Sequence, residues 1–375
     1  MNDDRIQRVT MPKWGLSMTS GKITEWIVDE GATVAIGDDL AEIDTDKIAG
    51  VLESTWAGVL RRVVAPAGAD VPVGATIALV APAEVSDADL DALVEQAREQ
   101  LASGVVPEVS GPVPGTVTVA GRTISYTTLG DGGVDGGETV VLVHGYGGDK
   151  NSWLFVQEPL AGGGVRTVHA VDLPGHGESD KDVGDGSLEF LADVVLGFLD
   201  AVGVPRAHLV GHSLGGAVVT AAAARAPQRV ASLTLVAPAG FSPEVNAAYL
   251  RGFAGASTRR ALRPLLGALF ADESQVTRQL VDDLLKYKRL DGVQKALDTL
   301  LDTLLSGDAP AIDAAPLLAA AGVPSVIVWG RRDAVLPLPD SLPGSSVHVV
   351  DGAGHMVHME SPHAVVAAVT EVTGG

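Results

Sequence analysis

Ser213 stands in Gly211-His212-Ser213-Leu214-Gly215, between an apolar run ending at Gly211 and an Ala- and Val-rich run that begins after Gly215. A serine on so sharp a strand-to-helix turn projects its hydroxyl out of the sheet, and the two glycines leave room for the turn. The hydroxyl becomes a nucleophile when a base takes its proton and a third group orients that base. His355, in Gly352-Ala353-Gly354-His355, and Asp333, in Gly330-Arg331-Arg332-Asp333, each follow an apolar, strand-like run. The competing readings are a structural histidine and a turn aspartate paired with Arg331 or Arg332. With 45 glycines in the chain the Gly-x-Ser-x-Gly pattern alone is weak. The chain order Ser213, Asp333, His355, each just past a predicted strand, gives it weight. The backbone N–H groups of Leu214 and of Tyr146, in the loop His144-Gly145-Tyr146-Gly147-Gly148, could receive a carbonyl oxygen as it becomes an oxyanion. A phosphate cradle is the alternative for that loop, but the Gly-x-x-x-x-Gly-Lys-Ser/Thr spacing is missing. The chemistry these residues can do is acyl transfer.

The elements that must position them alternate. An opening hairpin is predicted at residues 117–119 and 123–127. Buried-type strands follow at 140–143, 165–171, 208–210, 233–236, 326–329 and 347–350, with helices at 188–202 and 217–226. This reads as α/β, a doubly wound and mostly parallel sheet whose ligands bind beyond the carboxyl ends of the strands. The loop Asp172-Leu173-Pro174-Gly175-His176-Gly177-Glu178-Ser179 lies at the same edge and is assigned a structural role. His355-x-x-His358 is not the i, i+4 pair of a zinc helix, and no metal site is expected.

Bulk properties narrow the function. The chain has 375 residues, 46% apolar and 19% charged, enough for two or three domains with a substantial core. A net charge of −21 argues against nucleic acid and against anionic membrane surfaces. The start, Met1-Asn2-Asp3-Asp4, lacks the basic and apolar regions of a signal peptide, and no membrane span is read, so a cytoplasmic location is expected. There is no cysteine, which excludes disulfides and a cysteine nucleophile.

The first 82 residues are different in kind. Short β-prone runs at 21–28, 33–35, 40–45, 48–54, 58–64 and 76–80 are punctuated by turns, as in an all-β domain. Two of these runs flank Asp46-Lys47, which puts that pair at an exposed hairpin tip. Residues 83–115 read as a connector. Ser86 caps a short helix with Leu90, Leu93, Val94, Ala97 and Leu101 on one face, and Gly104, Pro107, Gly111, Pro112, Pro114 and Gly115 follow. That helix either docks a partner or folds back on its own domain; the second reading is favoured.

Residues 8–82 resemble a lipoyl domain. Asp46-Lys47 matches its modification site, with Gly31 sixteen residues before Lys47 and Gly58 eleven after, and 11–18 (Met11-Pro12-Lys13-Trp14-Gly15-Leu16-Ser17-Met18) look like its first strand and loop. The resemblance implies a lipoyl group in amide linkage on Lys47. From Gly115 onward the chain resembles the α/β-hydrolase fold superfamily. His144-Gly145, the Asp172–Gly177 run, the Ser213 elbow, Asp333 and His355 carry that likeness, and residues 239–311, with amphipathic runs at 259–270 and 274–305, look like its helical cap. The domains expected are thus a lipoyl domain at 1–82, a linker at 83–115 and an α/β-hydrolase-fold catalytic domain at 116–375.

The combination is similar to the acyltransferases of acetoin dehydrogenase complexes. It implies acetyl transfer from lipoyl-Lys47 to coenzyme A through Ser213, Asp333 and His355, with the amides of Tyr146 and Leu214 as oxyanion hole. Its partners would be a thiamine-diphosphate-dependent dehydrogenase and a flavin dihydrolipoamide dehydrogenase. Direct thiol-to-thiol transfer, a hydrolase using water as acceptor, and a non-catalytic carrier are the other readings.

Overall fold

The computed structural model describes residues 5–12, 18–45, 49–54, 56–103, 111–130, 138–161, 166–343 and 346–374. Two compact units divide the chain, Met1–Pro112 and Val113–Gly375.

The first unit holds eight strands among the described residues: β1 (Gln7–Thr10), β2 (Ser20–Trp26), β3 (Thr33–Val34), β4 (Asp39–Asp44), β5 (Ala49–Glu53), β6 (Gly58–Val63), β7 (Asp70–Pro72) and β8 (Thr76–Ala81). They form two four-stranded antiparallel sheets, ordered β1-β8-β6-β3 and β5-β4-β2-β7. Helix α1 (Asp87–Ser103) lays Leu90, Val94 and Ala97 against Ile6, Val64, Leu79 and Ala81 of the same unit. Each buried Leu or Val of this kind contributes about 1.5–3 kcal/mol. Arg61 and Arg62 bond Asp87, and Arg62 also bonds Asp91, at 2.9–3.0 Å, which ties the helix start to β6. The helix folds back on its own domain.

Among its described residues the second unit holds an eight-stranded sheet of order β18-β17-β14-β13-β11-β12-β10-β9. Its elements in chain order are β9 (Val113–Val119), β10 (Arg122–Leu129), β11 (Thr139–Val143), α2 (Leu154–Ala161), β12 (Thr167–Val171), α3 (Leu188–Ala201), β13 (Ala207–His212), α4 (Leu214–Arg225) and β14 (Val230–Val236). Then come α5 (Ala247–Gly255), α6 (Arg259–Gly267), α7 (Arg278–Lys288), α8 (Val293–Leu304) and the short hairpin β15 (Leu305–Ser306) and β16 (Ala309–Pro310). The chain closes with α9 (Ala315–Ala321), β17 (Ser325–Gly330), β18 (Ser346–Val350), α10 (Val357–Glu360) and α11 (Pro362–Thr373). Pairing is parallel from β18 to β12 and antiparallel at β10 and β9.

Side chains alternate across a strand, so a sheet covered on both faces must be apolar at successive positions. Val140 and Leu142 accordingly join one core layer with Trp153, Val156, Val365 and Val369. Val141 and Val143 join the other with Phe198, Val195, Leu214 and Val218. The last strand departs from the expected pattern: β18 is an edge, and Val347 is 41% exposed. β9 starts earlier than its reading and takes in Pro114 and Gly115. Pro114 is tolerated because β9 is the opposite edge. A Cβ on Gly115 would meet the Tyr126 ring at 2.6 Å.

The insert after β14 is helical, as expected, but its run 274–305 is broken. Gly292 at φ +82° separates α7 from α8, and α5 lies outside both amphipathic runs. Among the described residues no helix is long and apolar enough to cross a membrane.

Candidate active site

The elbow is built by close backbone approach. α4 begins at Leu214, directly after Ser213, so both Gly215 and Gly216 lie within its first turn. A Cβ on Gly215 would fall 2.3 Å from the Val143 carbonyl oxygen, and one on Gly211 would fall 2.4 Å from the Gly215 oxygen. Nothing but glycine lets β13 run so near the helix it feeds. Ser213 itself sits at φ +53°, ψ −118°, a conformation non-glycine residues rarely adopt. Its N–H donates to Val236 O at 3.0 Å, and its carbonyl accepts from Gly216 and Ala239 at 2.9 Å. These bonds hold the strained residue in place, and such strain is characteristic of functional turns.

Asp333 and His355 arrive from the ends of β17 and β18. The two loops touch: a Cβ on Gly330 would lie 2.0 Å from Gly354 O. Asp333 Oδ2 meets His355 Nδ1 at 2.7 Å, and both side chains are buried. Asp333 Oδ1 accepts the N–H groups of Val335 and Leu336, each at 2.8 Å. The carboxylate is therefore not the turn aspartate paired with a neighbouring arginine, and Arg331 bonds Asp351 instead. With Nδ1–H donating to Asp333, the Nε2 of a neutral His355 is left to accept a proton.

The His355 loop is fixed from several sides. Leu269 O accepts its N–H at 2.9 Å, and Glu360 accepts from Gly354 and Ala271 at 2.8 and 2.6 Å. The ring of His212, next to Ser213 in the chain, lies 4.7 Å from the His355 ring and donates from Nε2 to His355 O at 3.0 Å.

Tyr146, Ser213, Leu214, Val335 and Leu336 line one cavity, closed by Leu250, Leu304 and Ile312 from the helical insert. It is apolar and small, about 30 Å³.

The geometry also shows residues whose part was not foreseen. His176 Nε2 accepts the N–H of Gly147 at 3.0 Å, next to Tyr146 in the candidate oxyanion loop. His144 Nε2 likewise accepts from Leu173 at 3.0 Å. Since each Nε2 accepts, each Nδ1 carries the proton, and donates to Pro174 O at 3.0 Å and Gly145 O at 2.8 Å respectively. Both rings are neutral; burial pushes His176 down to about 3 and lowers His144 as well. Below them Lys150 Nζ bonds buried Asp172 at 2.7 Å and Glu178 at 2.8 Å. Burial alone would lower the Lys150 pKa, but Asp172 and Glu178 outweigh it and raise it. The loop read as merely structural thus positions the oxyanion loop. Only the position of His176, at the same sheet edge, hinted at this.

Lys47 and Asp46 lie outside the described residues. β4 and β5 are paired as far as Asp44 and Ala49.

Sheet order, elbow and strand-end Asp and His define the class: an α/β hydrolase fold, whose family pattern matches residues 138–362. A second pattern, that of biotin-requiring enzymes, matches residues 7–80. More narrowly, the chain belongs to the family of dihydrolipoyllysine-residue acetyltransferase components of acetoin cleaving systems. It is 44% identical over 364 residues to that component of Pseudomonas putida, 96% of each chain. The identity to the Cupriavidus necator component is 42% over 370 residues, 98% of this chain and 97% of the relative. A meta-cleavage product hydrolase from Pseudomonas fluorescens IP01 superposes with a TM-score of 0.60 at 23% identity, covering 70% of this chain and 98% of the other; it shares the fold.

Proposed function

We propose that the chain is a lipoyl-dependent acetyltransferase that works within a multienzyme acetoin-cleaving system. It passes the acetyl group to coenzyme A through Ser213. The observation that carries the reading is the span of the likeness. The acetyltransferase components match 96% or more of this chain, both units included. A 2-hydroxy-6-oxononadienedioate/2-hydroxy-6-oxononatrienedioate hydrolase of Pseudomonas putida, 32% identical, matches 63% of it. The resemblance of the first unit supports Lys47 as the attachment point, and the group bound there would supply a dithiol that carries acetyl as a thioester.

In this account His355 Nε2 takes the Ser213 proton as Oγ attacks the acetyl carbonyl. The N–H groups of Leu214 and Tyr146 hold the oxygen that becomes negative, and Asp333 stabilises the charged imidazole. The tetrahedral centre collapses, the carbon–sulfur bond breaks, and His355 returns its proton to the departing thiol. Acetyl is then an ester on Ser213. His355 next removes the coenzyme A thiol proton, the thiolate attacks the ester, and the proton goes back to Ser213 Oγ. The small apolar cavity beside Ser213 suits a short acyl chain. The partners are a thiamine-diphosphate-dependent dehydrogenase that loads the arm and a flavin dihydrolipoamide dehydrogenase that reoxidises it.

The test is to supply acetyl-dihydrolipoamide and coenzyme A and quantify acetyl-CoA against free acetate. Acetyl-CoA should dominate. Predominant acetate, undiminished by added coenzyme A, would make the protein a hydrolase.

A further inference from the structure

A cavity of about 410 Å³ opens on the helical insert, walled by Arg259, Arg260, Arg263, Pro264, Gly267 and Glu273. That volume lies in the range of small-molecule sites. Three arginines gathered on one nine-residue helix, α6, stand out in a chain of net charge −21. Packing does not require them there: α6 is anchored by buried Leu262 and Leu266, while Arg259, Arg260 and Arg263 are exposed. Arg259 is engaged with Asp282, its Nη2 donating to Oδ2 at 2.7 Å. Arg260 and Arg263, spaced i, i+3 on the same face, pair with no acid among the described residues. A planar guanidinium fork matches a phosphate far better than it matches solvent. Glu273 on the rim offers an acceptor for a sugar hydroxyl or a base amine.

The place of α6 in the fold says which phosphate. The chain leaves α6 and reaches Leu269, whose carbonyl accepts the N–H groups of His355 and Met356 at 2.9 and 3.1 Å. Arg263 is six residues earlier, and the helical part of that path, to Gly267, rises about 6 Å. One short element therefore joins this arginine-lined pocket to the loop of the base that must deprotonate the acceptor. A molecule with a phosphorylated nucleotide at one end and a thiol on a long arm at the other is built for that pair of stations. We propose that Arg260 and Arg263 bind the 3′-phosphate and pyrophosphate of the acceptor, coenzyme A. The proposal rests on the acceptor reading above and gives it a nucleotide subsite.

The test compares two acceptors, coenzyme A and pantetheine, which lacks the nucleotide, on the full-length chain and on the double substitution Arg260→Ser, Arg263→Ser. Both side chains are exposed, so the fold should be unaffected. The KM for coenzyme A should rise about tenfold or more with kcat unchanged, while the KM for pantetheine stays put. Calorimetry should show 3′,5′-ADP binding to the original chain and not to the double variant. A coenzyme A KM that does not move, or a pantetheine KM that rises equally, would overturn the site. Protein that makes no acetyl-CoA yet binds 3′,5′-ADP through these arginines would instead fault the acceptor reading and leave the nucleotide site standing.

Discussion

Asp333 divides its two oxygens between backbone and ring: Oδ1 accepts from Val335 and Leu336, while Oδ2 faces His355 Nδ1 at 2.7 Å. The backbone bonds fix the carboxylate, and the carboxylate fixes the imidazole. Asp333→Asn keeps an acceptor for the two N–H groups but turns an amide N–H toward Nδ1. The ring must then carry its proton on Nε2, where it can no longer take one from Ser213. We expect kcat to fall by about 10³–10⁴ with an unchanged circular dichroism spectrum. Activity within tenfold of the original enzyme would remove His355 from the role of base.

The elbow makes a steric prediction. Gly215→Ala would drive a methyl into the Val143 and His144 carbonyls, at 2.3 and 2.5 Å. Backbone cannot step aside cheaply, so a loss of about 1–3 kcal/mol is expected, read as a lower urea midpoint and accompanied by loss of activity. Gly255→Ala is the control. Nothing lies within 4 Å of its added carbon, and stability should hold or rise by about 0.4–1 kcal/mol. Equal midpoints for the two variants would contradict the packing described.

Acid should unfold the second unit by way of its histidines. Burial holds both His176 and His358 at about 3, against about 6.5 in the unfolded chain. The unfolded state therefore binds more protons between those values, and stability, complete above pH 6.5, is lost as pH falls toward 3. At pH 5 each of the two removes about 2 kcal/mol. His358 lies between the rings of Trp153 and His212, each 4.4 Å away by centroid, and neither of its nitrogens has a partner among the described residues. His358→Phe keeps a ring in that stack and deletes the titration. Urea midpoints at pH 7.5 and pH 5 should show an acid loss smaller by about 2 kcal/mol in this variant; an unchanged loss would show that His358 is not a source of acid sensitivity.

Much of the fold is legible in the chain, for reasons these residues make plain. Strands covered on both faces read as unbroken apolar runs, which is why residues 140–143 and 326–329 stand out. An elbow needs glycines at fixed offsets, so Ser213 is marked by its neighbours rather than by itself. The positions of Asp333 and His355 past strand ends are equally local. What is not legible depends on side chains meeting across the fold. His176 and Gly147, or Lys150 and Asp172, are far apart in sequence, and nothing local says that their hydrogen bonds close a network. The Asp172–Ser179 loop therefore reads as structural from its sequence alone, whereas its bonds position the loop around Gly147 and Lys150. In the insert, amphipathic periodicity marks helices but not their breaks. Residues 274–305 run on in pattern until Gly292 turns the chain at positive φ. Edge exposure escapes in the same way: β18 has the composition of an interior strand and only the sheet order makes it a rim.

The most direct test of the account is the fate of acetyl on Ser213. Protein given acetyl-dihydrolipoamide without coenzyme A should carry acetyl on the peptide containing Ser213, and adding coenzyme A should clear it as acetyl-CoA appears. Ser213→Ala should show neither acetyl-peptide nor turnover. Acetyl passing to coenzyme A at an undiminished rate in Ser213→Ala would mean that the thiols exchange it directly and that the hydroxyl at the elbow takes no part.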